Sequence, residues 1–216
     1  MPLDHPATAT CTVEAAFPLS GDALPADHGA ALFDALCRQT ELGGWLSATD
    51  AVAIAPVRGG ADGTGGLILN DESELLMRLA AADLPRVLRI VGDSLAVKGH
   101  ALELGQPQIR LPSPAAVLTA SLVVLPDAAD APRERDALRN GSTPSAFTAA
   151  IRESLAALEI NGDPVIGAGG HLQLPRHSVP GFAVHLHGLT PEDSLHLQEA
   201  GLGDHRKLGC GVFLPA

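Results

Sequence analysis

Short stretches of alternating apolar and polar residues run through the first half of the chain. Such alternation is typical of strands with one buried face, and it predicts strands at residues 8–19, 51–57, 73–79, 94–97 and 101–104. The last two stretches form a closing strand or a hairpin. Residues 58–66 are dense in glycine and are predicted to form a loop between the second and third strands.

Two helices are predicted among these strands. The first begins at Pro25 and Asp27 and closes at residues 43–44, and its apolar face consists of Leu32, Phe33, Ala35 and Leu36. The second is capped by Asp83, has Pro85 in its first turn, and is predicted to bury Leu84, Val87, Leu88 and Val91. The element order is therefore strand, helix, strand, strand, helix, strand.

The same order recurs after a crossing marked by Pro107, Pro112 and Pro114. Residues 116–125 are predicted to form a strand and residues 127–141 a loop. A helix begins at residues 143–144 with an apolar stripe, which consists of Phe147, Ile151, Leu155 and Leu158. A weak strand at residues 171–174 and a better one at 182–189 precede a helix with a strong start at Thr190 and Pro191. That helix ends at Gly201, and residues 208–214 close the sheet.

Two βαββαβ units in tandem are therefore predicted, which makes the chain an α+β protein with tandem ferredoxin-like, RRM-like domains. The expected division is residues 1–110 and residues 111–216. Each half is long enough to bury a core of its own.

Composition narrows the functional classes. The net charge of −11, with only 14 lysine and arginine residues, argues against extended non-specific contact with nucleic acid but leaves room for one local basic patch. No apolar stretch is long enough to cross a membrane, so no membrane partner is expected. The scattered Cys11, Cys37 and Cys210 favour reduced thiols in a cytoplasm and disfavour a zinc site. We expect no metal and no cofactor.

The most informative motif is at the end of the chain. Two Gly-apolar-Gly triplets, at residues 201–203 and 209–211, flank an insert that carries Arg206 and Lys207. Four glycines allow backbone amides to approach phosphates closely, and the two cations add charge. A helix cap at Gly201 would explain only one of these glycines. Nucleotide-binding loops lie between a strand and a following helix, which is the opposite order, so nucleotide hydrolysis and dinucleotide binding are excluded.

This motif resembles the C-terminal pattern of the CRISPR-associated protein six family. Residues 188–195, residues 209–215 and the N-terminal sequence at residues 24–29 are most similar to its myxan subtype. The resemblance implies tandem ferredoxin-like domains and a metal-independent endoribonuclease that cleaves precursor CRISPR RNA within repeats. Attack by a ribose 2′-hydroxyl would leave a 2′,3′-cyclic phosphate, and the protein would stay bound as a subunit of a type I surveillance complex.

The candidate catalytic residues are His28 and Lys98. A histidine at the start of a helix is kept neutral by the helix dipole and can accept a proton, and the resemblance implies that a histidine of the first helix serves in acid-base catalysis. His28 could equally be the top of the buried face that includes Leu32. Lys98 would steady the phosphate charge, with His100 on the same strand face; Arg110 is an alternative, and a solvated charge explains either cation as well.

The predicted RNA contacts lie mainly in the terminal motif. They are Gly201, Gly203, His205, Arg206, Lys207, Gly209 and Gly211, together with Arg176, the one arginine of residues 162–180. His185 and His187 alternate along a strand and are better explained as an outward-facing pair than as metal ligands.

Two other functions stay open at this point. The chain could be a non-catalytic subunit that binds the guide RNA without cutting it, which its low basic content favours. It could also be a ferredoxin-like module for a small ligand or metal, which would leave the symmetric glycines unexplained.

Overall fold

The computed structural model describes residues 11–40, 42–63, 65–125 and 145–216. In the first half, the main sheet has the strand order β3-β6-β1-β8-β7, and β9 also pairs with β1. Its strands are β1 (Thr12–Ser20), β3 (Ala53–Ile54), β6 (Glu74–Ala80), β7 (Ser94–Val97), β8 (His100–Leu104) and β9 (Gln108–Arg110). A small second sheet consists of β2 (Ala23–Pro25), β4 (Gly60–Ala61) and β5 (Gly66–Ile68).

Strand β1 is central because it is apolar on both faces over most of its length. One edge pairs antiparallel with β6, and the other pairs first with β9 and then, at Leu19 and Ser20, with β8. Phe17 and Leu75 are fully buried in the core that this sheet forms with the helices. Counting β7 and β8 as one closing hairpin, the order is that of a ferredoxin-like sheet.

The helices of this half differ from the prediction in their bounds. Helix α1 spans Gly29–Cys37 and ends well before residue 43, and a separate helix α2 spans Gly43–Ala48. Gly43, the first residue of α2, packs closely on the end of α1, and a side chain there would overlap the carbonyl oxygen of Cys37. Helix α3 (Leu84–Val87) is a single turn between two 3₁₀ turns.

Three further expectations for the first half are wrong. The Asp83 side chain does not cap α3, and Leu88 and Val91 are exposed rather than buried. The predicted loop at residues 58–66 contains β4, because Gly60 and Ala61 pair with β5.

The second half forms a sheet with the order β11-β12-β10-β13. Its elements are β10 (Leu118–Val123), α4 (Ser145–Ala157), β11 (Asp163–Gln173), β12 (Ser178–His187), α5 (Pro191–Ala200) and β13 (Leu214–Pro215). Phe147 of α4 packs on Phe182 of β12, with ring centroids 4.8 Å apart. Thr190 caps α5 as predicted, because its hydroxyl accepts the Asp193 N–H.

The main correction in this half concerns β11, which begins eight residues before the weak strand expected at residues 171–174. Leu158 is partly rather than fully buried beside the apolar stripe of α4. The expected loop at 127–141 and the helix start at 143–144 lie outside the described residues. The closing strand β13 is much shorter than residues 208–214.

The two sheets confirm the predicted α+β class and the tandem ferredoxin-like arrangement, while the boundary at residue 110 stays a prediction. The halves contact each other through Arg78, whose side chain is 2% exposed. Its guanidinium donates to the Glu14 carboxylate at 2.6 and 3.1 Å and, across the junction, to the carbonyl oxygens of Gln198 at 2.5 Å and Phe213 at 3.2 Å. A buried cation with all these acceptors fixes the C-terminal end of α5 on the first sheet.

Candidate functional site

His28 lines a cleft of about 270 Å³ between the two halves of the chain. One wall comes from residues 26–29 at the start of α1, and the opposite wall comes from β10, β11 and the glycine-rich segment, defined here as residues 201–211. The segment touches α1 directly, because a side chain on Gly29 would overlap the carbonyl oxygen of Leu208. The structure therefore brings the predicted catalytic histidine and the predicted RNA-binding segment together.

The imidazole of His28 is held by two backbone groups. Nδ1 lies 2.9 Å from the carbonyl oxygen of Pro25, and Nε2 lies 3.0 Å from the N–H of Val57. A carbonyl only accepts and an N–H only donates, so Nδ1 carries the proton and the Nε2 lone pair is occupied. The side chain is 3% exposed. Burial lowers the pKa of His28, and the nearby Lys98 charge adds to this, although the Pro25 and Ala26 backbone contacts and the Asp27 charge oppose it.

Lys98 lies near His28 but not on a strand. It occupies the two-residue turn between β7 and β8 with a φ of 48°, followed by Gly99 at 88°. Its ammonium donates to the Asp27 carbonyl oxygen at 2.8 Å and lies 3.4 Å from the Asp27 carboxylate. The expectation that Lys98 and His100 share a strand face is therefore wrong, while Lys98 is tied to the residue that precedes His28.

Arg110 lies elsewhere. Its guanidinium contacts the carboxylates of Glu14 at 3.1 Å and Glu74 at 2.7 Å, and it lines a different cleft, of about 510 Å³. The structure does not bring Arg110 to His28.

The glycines of the segment are needed for its shape. Gly201, Gly203, Gly209 and Gly211 all have positive φ, between 64° and 89°. A side chain at Gly211 would overlap the carbonyl oxygen of Leu202, and one at Gly203 would overlap that of Val124. The symmetric spacing therefore follows from tight backbone packing against β10 and within the segment itself.

The amides of the segment are largely used within the protein. The N–H groups of Leu202, Asp204 and Gly211 donate to Gly211, Val124 and Leu122, and those of residues 208–210 close turns onto His205 and Arg206. In this conformation those N–H groups already have acceptors within the protein and are not free for phosphates. A contact between these glycines and RNA stays a prediction.

Arg206 also points into the protein. Its Nη2 donates to the Glu199 carbonyl oxygen at 2.6 Å, and its buried Nε has no hydrogen-bond partner among the described residues. Burial, together with the nearby Arg78 charge, lowers the pKa of Arg206. In this position the side chain stabilises the end of α5 and is not extended toward solvent.

Lys207 reaches from the segment to the first half. Its ammonium donates to the carbonyl oxygens of Thr49 at 2.7 Å, Leu46 at 3.3 Å and Ser47 at 3.4 Å, which are the free acceptors at the end of α2. It also lies 3.4 Å from the Asp50 carboxylate and 5.6 Å from the Phe33 ring centroid. Lys207 therefore caps a helix of the other half.

The other predicted contacts are more accessible. His205 is half-buried with a left-handed φ of 63°. Arg176 is exposed in the turn between β11 and β12. His185 lines a third cleft, of about 540 Å³, and His187 is exposed. No group of three metal-ligating side chains occurs within the described ranges.

Two residues that the sequence analysis did not single out lie at these clefts. Arg58 is exposed and directly follows the residue that bonds His28, and its guanidinium makes no ion pair or hydrogen bond with the described residues. His171, on β11, lines the same cleft as His28. The weak strand predicted at residues 171–174 contains His171, but strand alternation alone does not indicate that a residue lines a cleft.

Comparisons with known proteins cover nearly the whole chain. A family described as Cas6, Cas6 Crispr, matches residues 13–216. The CRISPR-associated endonuclease Cas6 of Myxococcus xanthus (strain DK1622) is 31% identical over 203 residues, which cover 94% of this chain and 81% of that protein.

Solved structures agree in fold. A CRISPR-associated protein Cas6 superimposes with a TM-score of 0.60 at 11% identity and covers 95% of this chain and 98% of its own. Thermus thermophilus Cse3, bound to an RNA representing a pre-cleavage complex, gives 0.52 at 14% identity over 94% and 98%. In the part of the chain that the structure describes, every helix is too short or too polar to span a bilayer. By the family match and the Myxococcus relative, this chain belongs to the Cas6 family of CRISPR-associated proteins.

Proposed function

We propose that this chain is a metal-independent endoribonuclease that cleaves precursor CRISPR RNA within its repeats. It would act in the cytoplasm and stay on the mature guide RNA as a subunit of a type I effector complex. The observation that carries the proposal is its similarity, over 94% of its length, to a protein named an endonuclease. The cleft at His28 supports it, because this cleft joins residues of both halves at the position that the N-terminal motif marks.

The proposed reaction needs a proton acceptor and a charge beside one phosphate. The ribose 2′-oxygen bonds to the adjacent phosphorus, the bond from phosphorus to O5′ breaks, and the products carry a 2′,3′-cyclic phosphate and a 5′-hydroxyl. Burial keeps the His28 imidazole neutral, so its Nε2 accepts the 2′-hydroxyl proton once it exchanges the Val57 N–H for the substrate. Lys98, whose side chain is 46% exposed, supplies positive charge from the rim.

The glycine-rich segment would act on RNA mainly through its shape. Arg206 and Lys207 tie the middle of the segment to α5 and to the end of α2, which fixes this wall of the cleft. His205 and Arg176 have the exposure that direct contact needs. RNA recognition by shape and by stacking on unpaired bases suits a protein whose described residues include so few free cations.

A non-catalytic RNA-binding subunit is the second candidate. The observation that favours it is the engagement of both His28 ring nitrogens by backbone groups. An imidazole that never releases the Val57 N–H would be a structural residue, and the protein would bind the repeat without cutting it.

The test is cleavage of the repeat RNA from the same locus in EDTA, with wild type, His28→Ala and His196→Ala. His196 is an exposed histidine on α5 and serves as the matched control. Catalysis by His28 predicts one cut by wild type and by His196→Ala, with a loss of about 100-fold or more in His28→Ala and unchanged RNA affinity.

Other outcomes separate the candidates. Binding without cutting by wild type, with or without added magnesium, would establish the non-catalytic subunit. Cutting that requires a divalent metal would contradict metal independence. Unfolding midpoints of all three proteins show whether a loss of cutting reflects chemistry or folding.

A further inference from the structure

The cleft at His28 contains few groups that can move a proton. The described residues that line it and carry side chains of suitable chemistry are Asp27, His28, Ser121, His171 and Cys210. Acid-base cleavage of RNA moves two protons, one from the 2′-hydroxyl and one to the leaving O5′, and a single buried imidazole cannot serve both at once.

Most of these groups are already engaged or chemically unsuited. Burial, with the Asp27 charge, raises the pKa of Cys210 to about 12, so its thiol neither ionises nor readily gives up a proton. The Asp27 carboxylate faces the Lys98 ammonium at 3.4 Å. A serine hydroxyl such as that of Ser121 is a poor proton donor at neutral pH. The His28 proton is fixed on Nδ1 by Pro25.

His171 differs from all of them. Its side chain is exposed, and it has no hydrogen bond or ion pair with the described residues. Its imidazole is therefore open both to solvent and to a substrate bound in the cleft. The backbone around it is fixed, since β11 pairs with β12 on both sides of the His171–Pro180 position and Leu172 is buried beneath.

We infer that His171 is the proton donor of the cleft, a catalytic residue that protonates the O5′ leaving group. This inference rests on the proposed nuclease function and deepens it. As the 2′-oxygen bonds to phosphorus and the bond to O5′ breaks, the His171 imidazolium gives its ring proton to O5′ and becomes neutral. The 2′-hydroxyl proton goes to His28, so the two imidazoles exchange charge and water later restores both.

The burial of the two histidines suits this division. The buried His28 is kept neutral, which a proton acceptor needs, and the exposed His171 side chain has no partner among the described residues and is open to the leaving group. They come from opposite halves of the chain, so the reacting phosphate would lie between them only when the halves are joined.

The experiment compares two substrates in single-turnover cleavage. One is the ordinary repeat RNA, and the other carries sulfur in place of O5′ at the cut position, because a thiolate leaves without being protonated. The proteins are wild type, His171→Ala, His171→Gln, His28→Ala and the control His177→Ala. His177 is exposed on the same hairpin and does not line the cleft.

His171→Ala and His171→Gln are expected to cut the ordinary RNA about 100-fold or more slowly than wild type with unchanged affinity. Both should recover to within about threefold of wild type on the sulfur substrate, whereas His28→Ala stays slow on both substrates and His177→Ala matches wild type. Cutting of the ordinary RNA by both His171 variants at the wild-type rate would overturn the inference and leave the nuclease proposal intact. A defect that persists on the sulfur substrate would also overturn it. If wild type cuts neither substrate, the proposed function and the inference both fail.

Discussion

The Lys207 ammonium lies 2.7 Å from the carbonyl oxygen of Thr49, the residue that ends α2. More than 150 residues separate the two along the chain, and the contact joins the glycine-rich segment to the first half. The sequence suggests that the Lys207 ammonium binds phosphate, but in the structure it donates to backbone carbonyl oxygens of the protein.

Replacing Lys207 by methionine should therefore reduce stability. Methionine keeps much of the aliphatic stem but leaves three helix-end carbonyl groups without a donor. We expect the free energy of unfolding, measured with urea, to fall by about 1–3 kcal/mol. Lys98→Met, at the only other lysine, should change it by less than about 1 kcal/mol because that ion pair is exposed. Unchanged stability with lost RNA affinity would instead assign Lys207 to the RNA.

Gly211 should tolerate no side chain. Its φ is 64° and an added Cβ would overlap the Leu202 carbonyl oxygen, so Gly211→Ala should cost more than about 2 kcal/mol. Gly44, in α2, has no atom within 4 Å of an added Cβ, and Gly44→Ala should leave stability unchanged or raise it by up to about 1 kcal/mol. Thermal unfolding of the pair checks this, and equal midpoints would contradict it.

The buried Arg78 should be essential to the junction between the halves. Arg78→Met removes the donors of the Gln198 and Phe213 carbonyl groups and one partner of the buried Glu14, so we expect a loss of about 3–5 kcal/mol. Arg110→Met also removes a Glu14 partner, but from a half-exposed position, and should cost about 1 kcal/mol or less. Similar urea midpoints for the two variants would show that Arg78 does not hold the junction.

Stability should decrease with acid in a way that depends on His28. Because its pKa in the folded protein is lowered, the unfolded state takes up a proton first as the pH falls. The contribution is complete above about pH 6.5 and is lost below it, with a slope of at most about 1.4 kcal/mol per pH unit. His28→Gln removes the titration, so its free energy of unfolding should fall less than that of wild type between about pH 7 and pH 5. Parallel pH curves would argue against a neutral buried His28.

Local sequence patterns predicted the elements that depend on local chemistry. The Thr190 cap follows from a hydroxyl, a proline and two acidic residues in one turn, and the apolar stripe of α4 from helical spacing. Strand β11 was largely missed because Gly167, Gly169 and Gly170 have little strand preference of their own. Its extended form comes from pairing with β12.

The sequence predicted which parts of the chain form the site better than it predicted what each side chain does there. The N-terminal motif located His28 and the glycines located the opposite wall, and the structure brings both to one cleft. The partners of Arg206 and Lys207 are carbonyl oxygens, which leave no trace in side-chain identity, so their inward direction could not be predicted. For the same reason the sequence could not predict that the Val57 N–H donates to His28 Nε2.

The inward direction of so many cations has a consequence for ionic strength. In the described part of the chain, the arginines whose guanidinium groups make no hydrogen bond or ion pair are Arg58, Arg152 and Arg176. If these three and Lys98 release counterions from single-stranded RNA, the logarithm of affinity should fall with the logarithm of salt concentration with a slope of only about −3. RNA would then stay bound at salt concentrations that dissociate more basic proteins. Unrelated RNA would gain little affinity from charge, so the protein would not have to discriminate against it electrostatically.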